Sequence, residues 1–150
     1  MSAPVLVLYA TASGNAEMLA HATTERLQSC GLATQVANVA DFPAPRLAEA
    51  GVALLIASTW GEGEPPPDAV GFCAALADPE RLRLDGLAYA VLALGSSSYR
   101  DFCGCGRRID EQLARCGARR LLPRVECDTK FKAAFETWLG QVVDLLEPRR

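Results

Sequence analysis

Short apolar runs alternate along the chain with longer amphipathic ones, and the two periods predict different elements. Val5–Ala10 (Val-Leu-Val-Leu-Tyr-Ala) is too short for a helix and lacks polar alternation, which fits a strand buried on both faces. Residues 16–30 place Met18, Leu19, Ala22 and Leu27 at helical spacing, with Gly31 as the stop. Residues 33–39 alternate and suit a strand near an edge, followed by a loop at Pro43 and Pro45 and a short helical piece around 46–50. A central, doubly buried strand is expected over 51–59. It ends in Trp60-Gly61-Glu62-Gly63-Glu64-Pro65-Pro66-Pro67, a run that neither helix nor sheet accepts. Asp68 is expected to cap a helix reaching Ala77, and a further buried strand over 87–95 stops in Ser96-Ser97-Ser98-Tyr99-Arg100-Asp101-Phe102. A helix over 104–116 and an uninterrupted fifth strand over 119–127 complete the repeat. Asp128 or Thr129 then caps a last helix with Phe131, Phe135, Trp138, Leu139, Val142 and Leu146 on one face.

Five strands alternating with helices require right-handed crossovers, so the pattern predicts an α/β fold with a doubly wound parallel sheet. The loops after strands one, three and four then open on the same carboxyl edge, where ligands bind at the topological switch point. No repeat, linker or low-complexity tract divides residues 1–150, which are expected to form one domain.

Composition narrows the function classes. A chain of 150 residues that is 50% hydrophobic has ample material for a core. The N-terminus lacks a basic n-region and its apolar run is far too short for a signal peptide or a membrane span, which predicts a soluble, cytoplasmic protein. Six cysteines are present, but a core of this size needs no disulfide framework, and Cys103-Gly104-Cys105 is not a CxxC redox motif. Most are expected to be small buried hydrophobes. His21 is the only histidine and lies in the first helix without a ligand set, so no metal site is expected. A net charge of −3 without a basic stripe argues against nucleic acid and permits a basic protein partner.

Candidate chemistry concentrates in the three loops. After the first strand, Thr11-Ala12-Ser13-Gly14-Asn15-Ala16 is small and hydroxyl-rich, and its backbone N–H groups can converge on an anion at a helix N-terminus. There is no Lys after Gly14 and only one Gly, which excludes a Walker loop and the dinucleotide fingerprint and leaves a monophosphate as the best fit. An ordinary capped turn remains the other reading of this loop taken alone. Trp60 and Tyr99 project from the loops after strands three and four among Gly, Ser and Pro, where core packing explains them poorly. A flat conjugated ligand between them explains both. Trp138, well down the last helix, is expected in the core.

Thr11-Ala12-Ser13-Gly14-Asn15-Ala16, Ser58-Thr59-Trp60-Gly61-Glu62-Gly63-Glu64-Pro65-Pro66 and Leu94-Gly95-Ser96-Ser97-Ser98-Tyr99-Arg100-Asp101-Phe102-Cys103 resemble, in order and spacing, the three FMN-binding loops of flavodoxins. The second and third loops, with residues 119–128, look most like the flavodoxin-type domains of diflavin reductases such as the sulfite reductase flavoprotein. The resemblance implies a short-chain flavodoxin-like domain with strand order 2-1-3-4-5. It implies that Thr11, Ser13, Gly14, Asn15 and Ala16 hold the FMN phosphate. Trp60 and Tyr99 would flank the isoalloxazine, and Gly61, Gly95 and Cys103 would line its edge. Ala12, Ser58, Thr59, Glu62, Gly63, Ser96, Ser97 and Phe102 complete the implied cofactor set. Two positions depart from the family pattern: Ala16 stands for the usual Thr, and Ser96 for the usual Asp. The first removes a phosphate hydroxyl. The second removes a carboxylate that would repel the reduced flavin.

The function so implied is an electron carrier that takes single electrons from a flavodoxin or ferredoxin reductase-type donor and delivers them to an acceptor enzyme. No nicotinamide domain is expected in the chain, which is read as a monomer. Glu62, Glu64, Asp68 and Asp101 are expected to form an acidic rim where partners dock. A small NAD(P)H:quinone reductase on the same fold is the alternative and would need a substrate site over the flavin. A receiver-type regulatory domain shares the topology but needs acidic residues where Tyr9-Ala10 and Ser58-Thr59 stand.

Overall fold

The computed structural model describes residues 4–60, 63–98 and 102–146. Its centre is a parallel sheet of β1 (Val5–Ala10), β2 (Thr34–Asn38), β3 (Val52–Ala57), β4 (Ala88–Leu94), β5 (Arg119–Arg120) and β6 (Val125–Cys127), with the spatial order β2-β1-β3-β4-β5. Neighbouring strands are in register as Leu8 with Ala37 and Leu55, and Leu55 with Val91. Four helices cover the faces: α1 (Asn15–Ser29), α2 (Val70–Leu76), α3 (Gly104–Arg115) and α4 (Lys132–Leu146). The expected doubly wound architecture is therefore present, with element bounds shifted by one or two residues.

Successive residues of each central strand enter opposite cores, which is why those strands show no polar alternation. Leu6, Leu8, Leu55, Tyr89 and Val91 pack with Ile109 and Leu113 of α3 and Phe72 and Leu76 of α2. Val7, Leu54, Ile56 and Leu92 pack with Leu19 and Leu27 of α1 and with Phe135, Trp138 and Val142 of α4. Trp138 is fully buried, as expected. Gly106 lets α3 lie directly on β4, because a Cβ there would collide with Ala93.

Three details differ from the sequence expectation. The fifth strand is divided: β5 pairs with the amino end of β4 (Tyr89 opposite Arg120) and β6 with its carboxyl end (Leu94 opposite Cys127), with Pro123 between them. Proline has no N–H for the ladder, so the pairing stops and restarts around it. Asp68 does not cap α2. The fixed φ of Pro67 starts a 3-10 turn, Pro67–Ala69, which takes Asp68 inside it and leaves Ala69 before the helix with no side-chain cap. Asp128 does not cap α4 either, since that helix begins at Lys132 and the carboxylate accepts instead from the amides of Ser97 (3.0 Å) and Thr129 (2.8 Å).

At the amino end of β4 a buried carboxylate gathers three donors. Asp110 of α3, 2% exposed, accepts from the Tyr89 hydroxyl (2.7 Å), Arg120 Nε (2.8 Å) and Arg124 Nη1 (2.6 Å). Burial, and then the hydrogen bond to Asp110, push the Tyr89 hydroxyl pKa up, and the hydrogen bond from Arg120 to Asp110 holds the guanidinium in its charged form. The group fastens α3 to the sheet and to both pieces of the divided strand.

Candidate functional site

At the other end of the sheet, a cavity of about 200 Å³ opens where β1, β3, β4 and β6 finish. The first loop contributes Ala12, Ser13 and Asn15, the second Ser58 and Thr59, and the third Leu94, Gly95 and Ser96. The turn after β6 adds Asp128, Thr129 and Phe131. Seven of the sequence-predicted positions thus line one hollow at the topological switch point.

The first loop ends at Gly14, whose φ of 94° is the left-handed backbone that glycine adopts without strain. Its amide donates to Thr11 Oγ1 (2.8 Å), which folds the loop back on itself. No side chain caps α1, and the first amides of a helix have no acceptor within it, so donors at the positive end of a fifteen-residue dipole face the loop. Ala16, in the first turn of α1, is fully buried among the core residues and does not line the cavity.

The second loop is closed by its own backbone. Trp60 N–H donates to the Glu64 carbonyl (2.7 Å) and Glu64 N–H to the Trp60 carbonyl (2.9 Å), an isolated antiparallel bridge that leaves the indole 48% exposed. Gly61 and Glu62 lie outside the described residues. Gly63 is buried with φ 138°, and its carbonyl accepts from Arg108 Nη1 of α3 (3.0 Å). Thr59 Oγ1 is buried without a hydrogen-bond partner although the residue lines the cavity. A buried hydroxyl left unmatched costs about 1–3 kcal/mol, and here a ligand in the cavity is the available partner.

In the third loop Gly95 lies so close to Cys103 that a Cβ would stand 2.8 Å from the Cys103 amide nitrogen. Cys103 itself has φ 55°, a left-handed backbone rare for a residue with a side chain, and it precedes α3. Its thiol is buried, 3.5 Å from the carbonyl oxygens of both Ala93 and Cys127, and burial pushes its pKa up to about 12. The thiol therefore faces the sheet ends and Gly95 is what the cavity meets. Ser96 and Ser98 share a hydrogen bond of 2.7 Å, and the Ser97 amide is held by Asp128. The hydrogen bonds from Ser97, and then from Thr129, hold the Asp128 carboxyl below its ordinary pKa. Phe102 is half-buried outside the cavity, and Tyr99, Arg100 and Asp101 lie outside the described residues. Of the expected acidic rim, Glu64 and Asp68 are exposed, while Glu62 and Asp101 fall outside the described residues.

Sequence reasoning missed Asp128, Thr129 and Phe131. The available signal was positional, because β6 ends on the same carboxyl edge as the strands whose loops were searched. Among the described residues no helix is long and apolar enough to cross a membrane.

A sheet of this order, with an uncapped helix end and an orphaned hydroxyl at its switch point and an exposed indole on the loop after β3, defines the class of small α/β domains that bind a phosphorylated aromatic cofactor. Residues 7–138 match the flavodoxin family model, and the chain belongs to the flavodoxin family, as an FMN-binding electron-transfer domain of that type. It is 40% identical over 143 residues to the sulfite reductase [NADPH] flavoprotein alpha-component of Neisseria meningitidis, covering 95% of this chain and 24% of that protein. The chain thus spans about a quarter of the length of the curated relatives it matches. Among solved structures, a cysteine-to-alanine mutant of a Pseudomonas aeruginosa flavodoxin superimposes with a TM-score of 0.83 at 28% identity, covering 97% of this chain and 100% of that one. A Streptococcus flavodoxin gives 0.81 at 26% identity, covering 95% and 99%.

Proposed function

We propose that the chain carries single electrons on FMN from a reductase to an acceptor enzyme. The observation that supports this most directly is the cavity itself, which is lined by Ser13 and Asn15 at the uncapped start of α1 and by Thr59, whose buried hydroxyl has no partner among the described residues. When bound, FMN supplies a ring that accepts and donates electrons one at a time. The amides from Ala12 to Ala16, with the side chains of Thr11, Ser13 and Asn15, would hold its phosphate. Ser58 and the Thr59 hydroxyl would satisfy the chain that joins phosphate to ring, and Trp60 and Tyr99 would cover the two ring faces. Gly61, Glu62, Gly63, Gly95, Ser96, Ser97, Phe102 and Cys103 would form or brace the walls around the ring edge, the last by fixing the backbone beside Gly95. Glu64 and Asp68, with Glu62 and Asp101, would steer a donor with a basic face toward that edge. The sulfite reductase relatives, whose name carries NADPH, support a donor that draws on that nucleotide.

Titrating the flavin-free protein with FMN should give one-to-one quenching of flavin fluorescence. The loaded protein should then be reduced by NADPH only when a basic reductase is added, at a rate that falls as salt rises. Rapid turnover of NADPH with a quinone and no reductase would favour the quinone reductase reading instead, and a protein that binds no FMN would overturn both.

A further inference from the structure

The turn that carries Trp60 is shaped by its own backbone. The amides of Gly63 and Glu64 donate to the Trp60 carbonyl (3.2 and 2.9 Å) and the Trp60 amide donates to the Glu64 carbonyl (2.7 Å), bonds that close the turn without fixing where it sits. Pro65, Pro66 and Pro67 follow, and none has an N–H with which to tie the departing chain to the fold. A bond from another element supplies the missing hold. Arg108 of α3, 45 residues along the chain, donates from Nη1 to the Gly63 carbonyl across 3.0 Å.

The helix around Arg108 is itself fixed, which makes it a firm anchor. Two residues earlier, Gly106 brings α3 down onto Ala93 of β4, and two residues later the Asp110 carboxylate accepts from Tyr89, Arg120 and Arg124. The same helix also holds the third loop. Arg107 Nη1 donates to the Phe102 carbonyl (3.4 Å), and Cys103, just before the helix, stands against Gly95.

We propose that Arg108 is a positioning residue that sets the Trp60 turn at a fixed distance from the third loop, so that the slot for the flavin ring has its shape before FMN enters. A hydrogen bond from a guanidinium to a carbonyl is charge-assisted and roughly twice as strong as a neutral one. Gly63 is buried, which limits competition from water, and its φ of 138° aims the carbonyl in a way that a residue with a side chain rarely permits. A wall ordered before binding has less freedom to lose when the ligand arrives, and a ligand held by it leaves more slowly. The hold on the turn belongs to the chain alone, while its effect on the cofactor rests on the function proposed above.

Amide hydrogen exchange of the flavin-free protein reads the hold directly. In Arg108→Met, at an exposed position, the apolar stem is kept and the donor lost. Exchange at Trp60, Gly63 and Glu64 should speed up roughly tenfold, while the amides of β4 exchange as in the parent. Arg108→Lys, which returns a cationic donor, should recover part of the hold, and Arg107→Met should leave these three amides at the parent rate. Once loaded, Arg108→Met should release FMN roughly tenfold faster than the parent, with Arg108→Lys between them. Parent-like exchange in Arg108→Met, faster exchange that extends to β4, no recovery in Arg108→Lys, or an equal effect of Arg107→Met would each overturn Arg108 as the anchor. Faster exchange with unchanged FMN release would overturn its role at the ring. A parent protein that binds no FMN would count against the proposed function and leave the exchange result to decide the anchor by itself.

Discussion

The two ends of β4 handle buried polarity in opposite ways. At the amino end, Asp110 is 2% exposed, yet Tyr89, Arg120 and Arg124 all donate to its carboxylate. At the carboxyl end, Thr59 Oγ1 has no partner, α1 has no cap and Trp60 presents its indole to solvent. One end is complete within the chain, and the other has donors and surface in excess of what the fold needs. Satisfied polarity of the first kind fixes a structure, whereas unsatisfied polarity of the second kind marks a place that a ligand completes.

That contrast can be broken at either end. The largest effect is expected from Asp110→Ala, which takes the shared carboxylate from two guanidinium groups and leaves the Tyr89 hydroxyl only the backbone carbonyl of residue 110. Urea unfolding of the flavin-free protein should show a loss of about 3 kcal/mol, with the FMN affinity of the folded fraction unchanged. A loss under about 1 kcal/mol would show that the amino end is no better determined than an exposed ion pair. Trp60→Ala should do the converse, weakening FMN binding by about 2 kcal/mol in a fluorescence titration while leaving the flavin-free protein as stable as before. Unchanged affinity would remove the indole from the ring site.

Thr59→Val sharpens the comparison because it deletes a hydroxyl that no other described residue uses. The flavin-free protein should be equally stable or slightly more so, and FMN affinity should fall by about 1 kcal/mol. Should stability fall instead, the hydroxyl has a partner within the fold. The smallest effect concerns Asp128. Its carboxyl is held below the ordinary value by the amides of Ser97 and Thr129, so its hold on the third loop is complete above about pH 4 and is lost as the pH falls further. FMN release measured from about pH 5 to about pH 3 should accelerate in the parent and show a weaker pH dependence in Asp128→Asn; identical profiles would separate the carboxylate from the loop.

The central strands were legible because burial on both faces leaves an unbroken apolar signature, as in Val52–Ala57 and Ala88–Leu94. The outer strand was less so. Its residues read as one strand, and only the missing N–H of Pro123 set against the ladder of β4 divides it. Ala12, Ser13, Asn15, Ser58, Thr59, Gly95 and Ser96 could be found because each follows directly on a buried strand, so local pattern carried them to the edge. Asp128 could not be assigned correctly by that route. A carboxylate ahead of a helix looks like a cap, and its actual partner, the Ser97 amide, is distant in sequence. Asp110 was invisible for the same reason, being one charged residue on an amphipathic helix until Tyr89, Arg120 and Arg124 close around it.

The division of the outer strand also bears on self-association. An open sheet invites edge-to-edge growth wherever a long, regular row of amides and carbonyls faces solvent. Here the outermost row consists of β5 and β6, two and three residues long, with exposed Arg119 and Arg120 on the first and a proline between them. An incoming strand would find no stretch long enough to register against, and it would bring its own backbone up against two cations. The interruption that disturbs the ladder of β4 thereby makes this border of the sheet a poor template for fibrils.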